Sequence, residues 1–193
     1  MDIKFKTSSD KTKIYSFKNF CKILDQVETD NDKRFLIRDM FLVLLYAKKD
    51  NPIYGRTMLI KQLFLLYNEV FDKFQEIAYQ EPNFIPYDFG PYSFKSMKIL
   101  DDLRFSKEIV VNGKRNTKKE SFSLSEKGSM LAKGKFEALP KNLQTVIGER
   151  RIGWDQLGTR GILKYVYEKY PNMKEKSKIK RRYKDITWGI GKA

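Results

Sequence analysis

Between residues 33 and 48 the apolar side chains of Phe35, Met40, Phe41, Leu44 and Leu45 recur at helical spacing. A row this dense has to be buried, so the helix is expected at the centre of the core. Asn51-Pro52 ends it, because proline cannot continue a helix. Gly55 then precedes a second helix over 56–74, with Leu59, Leu63, Leu66 and Val70 on one side. Two apolar helices joined by a short, glycine-containing turn are the raw material of a helix-turn-helix.

The segment FIPYDFGPYS at 84–93 interrupts the helical pattern. Pro86 and Pro91 keep it out of helical conformation, and Gly90 permits a tight bend. Phe84, Tyr87, Phe89 and Tyr92 have ring faces on which bases could stack. The prolines and flanking helices assign them instead to packing against the core. A third helix follows over 92–105, with Phe94, Met97, Leu100 and Leu103 spaced for burial. EIVV at 108–111 and SFSL at 121–124 are expected to pair as a hairpin around the basic tip NGKRNTKKE. Ser125 and Glu126 open another helix, with Met130, Leu131 and Phe136 as its apolar row. Beyond Pro140, LQTVIGERRIGW and LGTRGILKYVYEKY read as two more helices. At the other end Ile3–Phe5 alternates like a short strand, and Ser16 is placed to cap a helix carrying Phe17, Phe20, Cys21, Leu24 and Val27.

The expected fold class is therefore α+β and mostly helical, a winged helix-turn-helix core with a basic β-hairpin wing and additional N- and C-terminal helices. Its boundaries are an N-terminal extension at 1–32, the winged-helix core at 33–137, C-terminal helices at 138–173 and a basic tail at 174–193. In that arrangement the third helix enters the major groove, while the hairpin lies along the backbone or the minor groove.

Charge enters here because of where it lies. The chain carries 39 Lys+Arg against 24 Asp+Glu, a net charge of +15 with no histidine. Residues 1–105 account for +2 and residues 106–193 for +13. A need for solubility alone would spread the excess evenly, so the asymmetry favours a basic surface that meets a polyanion. The wing tip holds Lys114, Arg115, Lys118 and Lys119, and Asn116 and Thr117 beside them are possible donors to phosphate oxygens. On the third helix Lys95 and Lys98 lie near the N-terminal turn and Arg104 near the other end. Asp101 and Asp102 would repel a phosphate backbone unless they pair with Lys98, Arg104 or Lys107. The stretch KEKSKIKRRYK adds Lys178, Lys180, Arg181 and Arg182 as a candidate polybasic arm, although a terminal charge run is more often a solvated end.

With no histidine, every Ser-His, Cys-His or His-ligand site is excluded. Gly153, Gly158 and Gly161 lack phosphate-loop spacing. Carboxylates at Glu69, Asp88, Asp101 and Asp102 leave a metal-dependent nuclease as the enzyme alternative, but no spacing among them singles out a metal site. No cofactor and no metal are expected. Cys21 is the only cysteine, so no intrachain disulfide forms. The N-terminus lacks a signal-peptide run, and the longest apolar stretch, Met40 to Ala47, falls short of the ~20 residues that span a bilayer. A cytoplasmic protein with no membrane partner is expected.

The run RTMLIKQLFLLYNEV, then FIPYDFGPYSFKSMKILDDL, a basic hairpin, SEKG and LKYVYEKYPNMKEKSKI resembles the YwgA-like family of small bacterial and archaeal proteins over about residues 33–180. It is distantly similar to the Panacea antitoxin domain as well. The most specific pieces are Gly90-Pro91-Tyr92-Ser93 and YVYEKYP, from Tyr165 to Pro171. The resemblance implies a winged-helix-like domain associated with toxin–antitoxin or phage-defence genes, and it brings no catalytic residues. Antitoxin relatives act by binding proteins. Two partner classes therefore stand beside each other: nucleic acid, with DNA favoured, and an acidic protein partner. A homodimer is a further expectation, since winged-helix proteins pair to read half-sites.

Overall fold

The structure, a computed structural model, describes the strands at 2–5 and 13–16 and residues 34–48, 51–74 and 77–179. The chain falls into two compact units, residues 1–35 and 36–193. In the first, β1 (Asp2–Phe5) and β2 (Lys13–Ser16) form an antiparallel hairpin with Ile3 opposite Tyr15. The strand expected at Ile3–Phe5 is present. Ser16, expected as a helix cap, is the last residue of β2, and the helix expected after it, with Cys21, lies outside the described residues.

The second unit opens with α1 (Ile37–Tyr46), which starts at Ile37 rather than at Lys33. The backbone N–H of Leu36 donates to the Asp39 carboxylate at 3.0 Å, satisfying one of the helix's free amides. Every residue from Ile37 to Leu45 except Arg38 is buried, so α1 is the central helix. The connection to the next helix is more than a turn, because it contains the short strand β3 (Ile53–Tyr54). In α2 (Arg56–Leu65) all residues from Met58 onward are buried, including Lys61 and Gln62. The helix continues as a wide π-turn, Leu66–Val70, and a tight turn, Phe71–Lys73.

The aromatic segment forms a hairpin, β4 (Ile85–Tyr87) and β5 (Gly90–Tyr92), turning at Asp88-Phe89. Ser93 caps α3 (Phe94–Phe105) by accepting from the Ser96 amide at 3.0 Å. Next come β6 (Ile109–Asn112) and β7 (Ser121–Leu124), the expected hairpin. β3 pairs antiparallel with the free edge of β7, so the sheet order is β3-β7-β6. Two helices close the unit: α4 (Glu126–Glu137), capped by Ser125, and α5 (Lys141–Lys169), broken at Gly158 where φ is 60°. α1 packs on α3 and α4, and α2 packs on α5. The fold is α+β with a small antiparallel sheet. No helix among the described residues is long and apolar enough to cross a membrane.

Two stretches pack otherwise than their apolar spacing suggests. In α4, Met130 and Leu131 are 73% and 40% exposed, and the buried positions are Gly128 and Ala132. The reason is close approach: a Cβ at Gly128 would overlap the carbonyl oxygen of Glu108, so only the smallest residue fits there. Gly128→Ala is expected to cost about 2–3 kcal/mol by overpacking. Gly134→Ala, on the same helix and facing open space, should gain about 1 kcal/mol of helix propensity. Urea midpoints of the two variants moving in opposite directions would establish this packing; parallel shifts would refute it.

The β4–β5 hairpin lies on the end of α5 and the residues after it. Gly90 has φ 85°, and a Cβ there would stand 2.6 Å from the Tyr167 ring. Below it, the buried Lys61 ammonium donates to the Pro91 carbonyl at 2.7 Å. The Tyr167 hydroxyl pairs with Ser177 Oγ at 2.7 Å, and the Lys178 amide donates to the Asp88 carbonyl at 2.9 Å. The basic stretch expected to begin as a solvated tail at Lys174 is therefore folded against the hairpin through Ile179. The Gly90–Ser93 and Tyr165–Pro171 segments, far apart in sequence, meet here.

Candidate functional site

The loop between β6 and β7 is built rather than loose. The Thr117 amide and hydroxyl both donate to the Lys114 carbonyl, at 3.2 and 2.7 Å, and the Glu120 amide donates to the Thr117 carbonyl at 3.2 Å. The Asn116 amide donates to the carboxylate of Glu120 at 2.9 Å. Glu120 is buried and is gripped by Arg56, at the start of α2, at 2.6 Å. Burial pushes the Glu120 carboxyl up, but the Arg56 hydrogen bond and the Asn116 amide together hold it below the usual carboxylate range. The effect is to fix the loop to the body of the fold and leave Lys114, Arg115, Lys118 and Lys119 exposed on it. Thr117, expected as a phosphate donor, spends its hydroxyl inside the loop.

The loop is also tied to α3. Arg115 lies 3.6 Å from Asp101, and Arg56 lies 3.9 Å from the same carboxylate. Asp101 is thus neutralised from the loop and from α2, not by the helical neighbours Lys98, Arg104 or Lys107. Lys95 and Lys98 are exposed on α3, and Lys95 Nζ donates to the Glu81 carbonyl at 3.1 Å. At about 100° per residue these two lysines stand ~60° apart, whereas Arg104 lies ~120° round the helix from Lys98. Arg104 is therefore not brought to their face. Lys178 sits on the turn of the β4–β5 hairpin, paired with Asp88 at 2.7 Å. Lys180, Arg181 and Arg182 lie outside the described residues.

Of the aromatic residues of this region Phe84 packs edge-on against the buried Phe64 at 5.1 Å, as expected, whereas Tyr87, Phe89 and Phe94 do not fill the core. Tyr87 is 40% exposed, Phe89 49% and Phe94 58%. Tyr87, Tyr92 and Phe94 group together, with ring centroids 5.0–5.5 Å apart. Tyr92 is within electrostatic range of Arg56, Arg115 and Asp101, and burial pushes its phenol up. Their hydrophobicity suggests burial; for Tyr87, Phe89 and Tyr92 the proline-bounded hairpin signals otherwise, whereas Phe94 lies at the start of α3.

The acidic residues are dispersed. Asp88 is held by Lys178, and Asp101 by the two arginines. Glu69 is buried beneath α5, where it accepts from Tyr165 at 2.9 Å, Lys169 at 2.7 Å and Tyr170 at 3.3 Å. Burial, then the Glu69 charge, pushes the Tyr170 phenol up to about 12. Among the described residues no three His, Cys, Asp or Glu side chains group as a metal site. The chain matches no protein-family model and no curated protein.

Proposed function

We propose that the chain is a winged-helix protein that binds nucleic acid, duplex DNA in preference, and performs no chemistry on it. The observation that carries this reading is the anchored loop at 113–120, with four exposed cations held beside α3. Each cation that neutralises a phosphate releases a condensed counterion, so a fixed cluster gives affinity without sequence information. The winged-helix reading is supported by the order helix, short strand, helix, helix, hairpin, in which β3 extends the sheet of the hairpin. The β4–β5 hairpin is then an insertion between α2 and α3. A regulatory or defence setting rests on the likeness to the YwgA-like family alone, and a cytoplasmic location on the lack of a signal-peptide run in the sequence.

The test is a variant with Lys114, Arg115, Lys118 and Lys119 all changed to alanine. Its affinity for duplex DNA, read by fluorescence anisotropy, should fall about 100-fold, and equally on unrelated sequences. An unchanged affinity would remove the loop from the interface. A second reading, a protein adaptor for an acidic partner, draws on Phe105, which is 91% exposed at the end of α3. An apolar interface of that kind survives high salt, so a partner retained through a high-salt wash would favour it.

A further inference from the structure

We propose that the aromatic group formed by Tyr87, Tyr92 and Phe94 is a platform for unpaired nucleobases, so that the preferred ligand is a duplex carrying a single-stranded segment. This inference rests on the nucleic-acid reading above and adds the class of substrate. Three observations support it. The rings are gathered at the surface, not scattered: Tyr87 lies 5.1 Å from Tyr92 and 5.5 Å from Phe94, and Tyr92 lies 5.0 Å from Phe94. Phe94 and Tyr87 remain 58% and 40% exposed even so. The hairpin that carries Tyr87 and Tyr92 is tied down by Lys61 on the Pro91 carbonyl and by Ser177 and Lys178 on the Asp88 carbonyl, and Phe94 opens the helix that follows it.

The charges around the rings select the occupant. Lys95 and Lys98 share α3 with Phe94, and Arg115 of the basic loop, paired with Asp101 on the same helix at 3.6 Å, lies within electrostatic range of Tyr92. Aromatic faces bordered by cations suit a strand whose bases stack while its phosphates are neutralised, and every base has a face to offer. An apolar protein segment would gain from the rings but nothing from the cations. Because Arg115 belongs both to the loop and to the border of the platform, a strand leaving a duplex on the loop would meet the rings next.

The experiment compares a blunt duplex with the same duplex bearing a single-stranded tail that contains a fluorescent adenine analogue, both titrated with the full chain. The tailed ligand is expected to bind about tenfold tighter, the gain of one stacked base, and the analogue's fluorescence should be quenched on binding. Changing Tyr87→Ala and Phe94→Ala together should abolish the tenfold preference and the quenching while leaving blunt-duplex affinity unchanged. Phe94→Tyr alone, which keeps a ring of similar size, should retain both. Equal affinity for the two ligands with unquenched fluorescence would overturn the platform and leave duplex binding standing, as would a preference that survives the double variant. Binding of neither ligand would overturn the platform and the nucleic-acid reading together.

Discussion

Stability is expected to rise with pH between about 7 and 10, by up to about 1.4 kcal/mol per pH unit, because of Lys61. Its side chain is buried beneath the β4–β5 hairpin, its ammonium meets the Pro91 carbonyl, and among the described residues no carboxylate lies within ion-pair distance. Burial lowers its pKa from 10.5 to about 7. Above pH 7 the unfolded chain therefore holds a proton that the folded chain has lost, and raising the pH favours the folded state. Below pH 7 both states are protonated and the full penalty applies without further change. Above pH 10 the half-buried tyrosines Tyr67, Tyr92 and Tyr170, whose pKa values are raised, act in the opposite sense. Lys61→Met should flatten the profile, gaining on the order of 3–4 kcal/mol on the wild type between pH 10 and pH 7. Urea unfolding across that range tests this; parallel wild-type and variant profiles would contradict it.

Arg56→Ala should cost about 3–5 kcal/mol, since it leaves the buried Glu120 carboxylate without its counter-ion. The Asn116 amide would remain as its main partner, so the basic loop should loosen along with the global loss. The pH dependence separates this cause from the lost packing of the Arg56 guanidinium over the Phe122 ring, 5.5 Å from its centroid. In the wild type Glu120 has a lowered pKa, so its contribution is present above the ordinary value of 4.5 and is lost as pH falls through the folded value. In the variant burial is opposed only by the Asn116 amide and the Arg115 charge, so the carboxyl takes up a proton sooner. The difference between the two proteins should therefore shrink on acidification. A gap that stays constant from neutral pH to below 4.5 would assign the cost to packing.

The elements most legible in the sequence are those governed by local periodicity. The dense apolar row of α1, the glycine before α2 and the turn-rich tip between β6 and β7 each announce their element from within a few residues. Burial is less legible, because it depends on what packs from elsewhere. Lys61 is polar and lies in a helix expected to show one apolar face, yet a hairpin that begins more than twenty residues later covers it. In α4 the close approach to Glu108 selects Gly128 for the inside, Ala132 is buried one turn on, and the larger Met130 and Leu131 lie outside. Phe94 matches the spacing of Met97, Leu100 and Leu103, but at about 100° per residue it lies ~120° from the middle of that row. Of the candidate site, the loop cations are evident from composition and turn chemistry. The buried Arg56–Glu120 pair that anchors them joins residues from α2 and the foot of β7, and no local pattern links the two.

A salt titration of wild-type binding to a duplex of arbitrary sequence tests phosphate contact by the loop most directly. If the four loop cations contact phosphate, log K should fall against log salt with a slope of about −3.6 or steeper, less steep by that amount in the loop variant. Salt-independent binding, or no binding at low salt, would contradict a phosphate-facing loop.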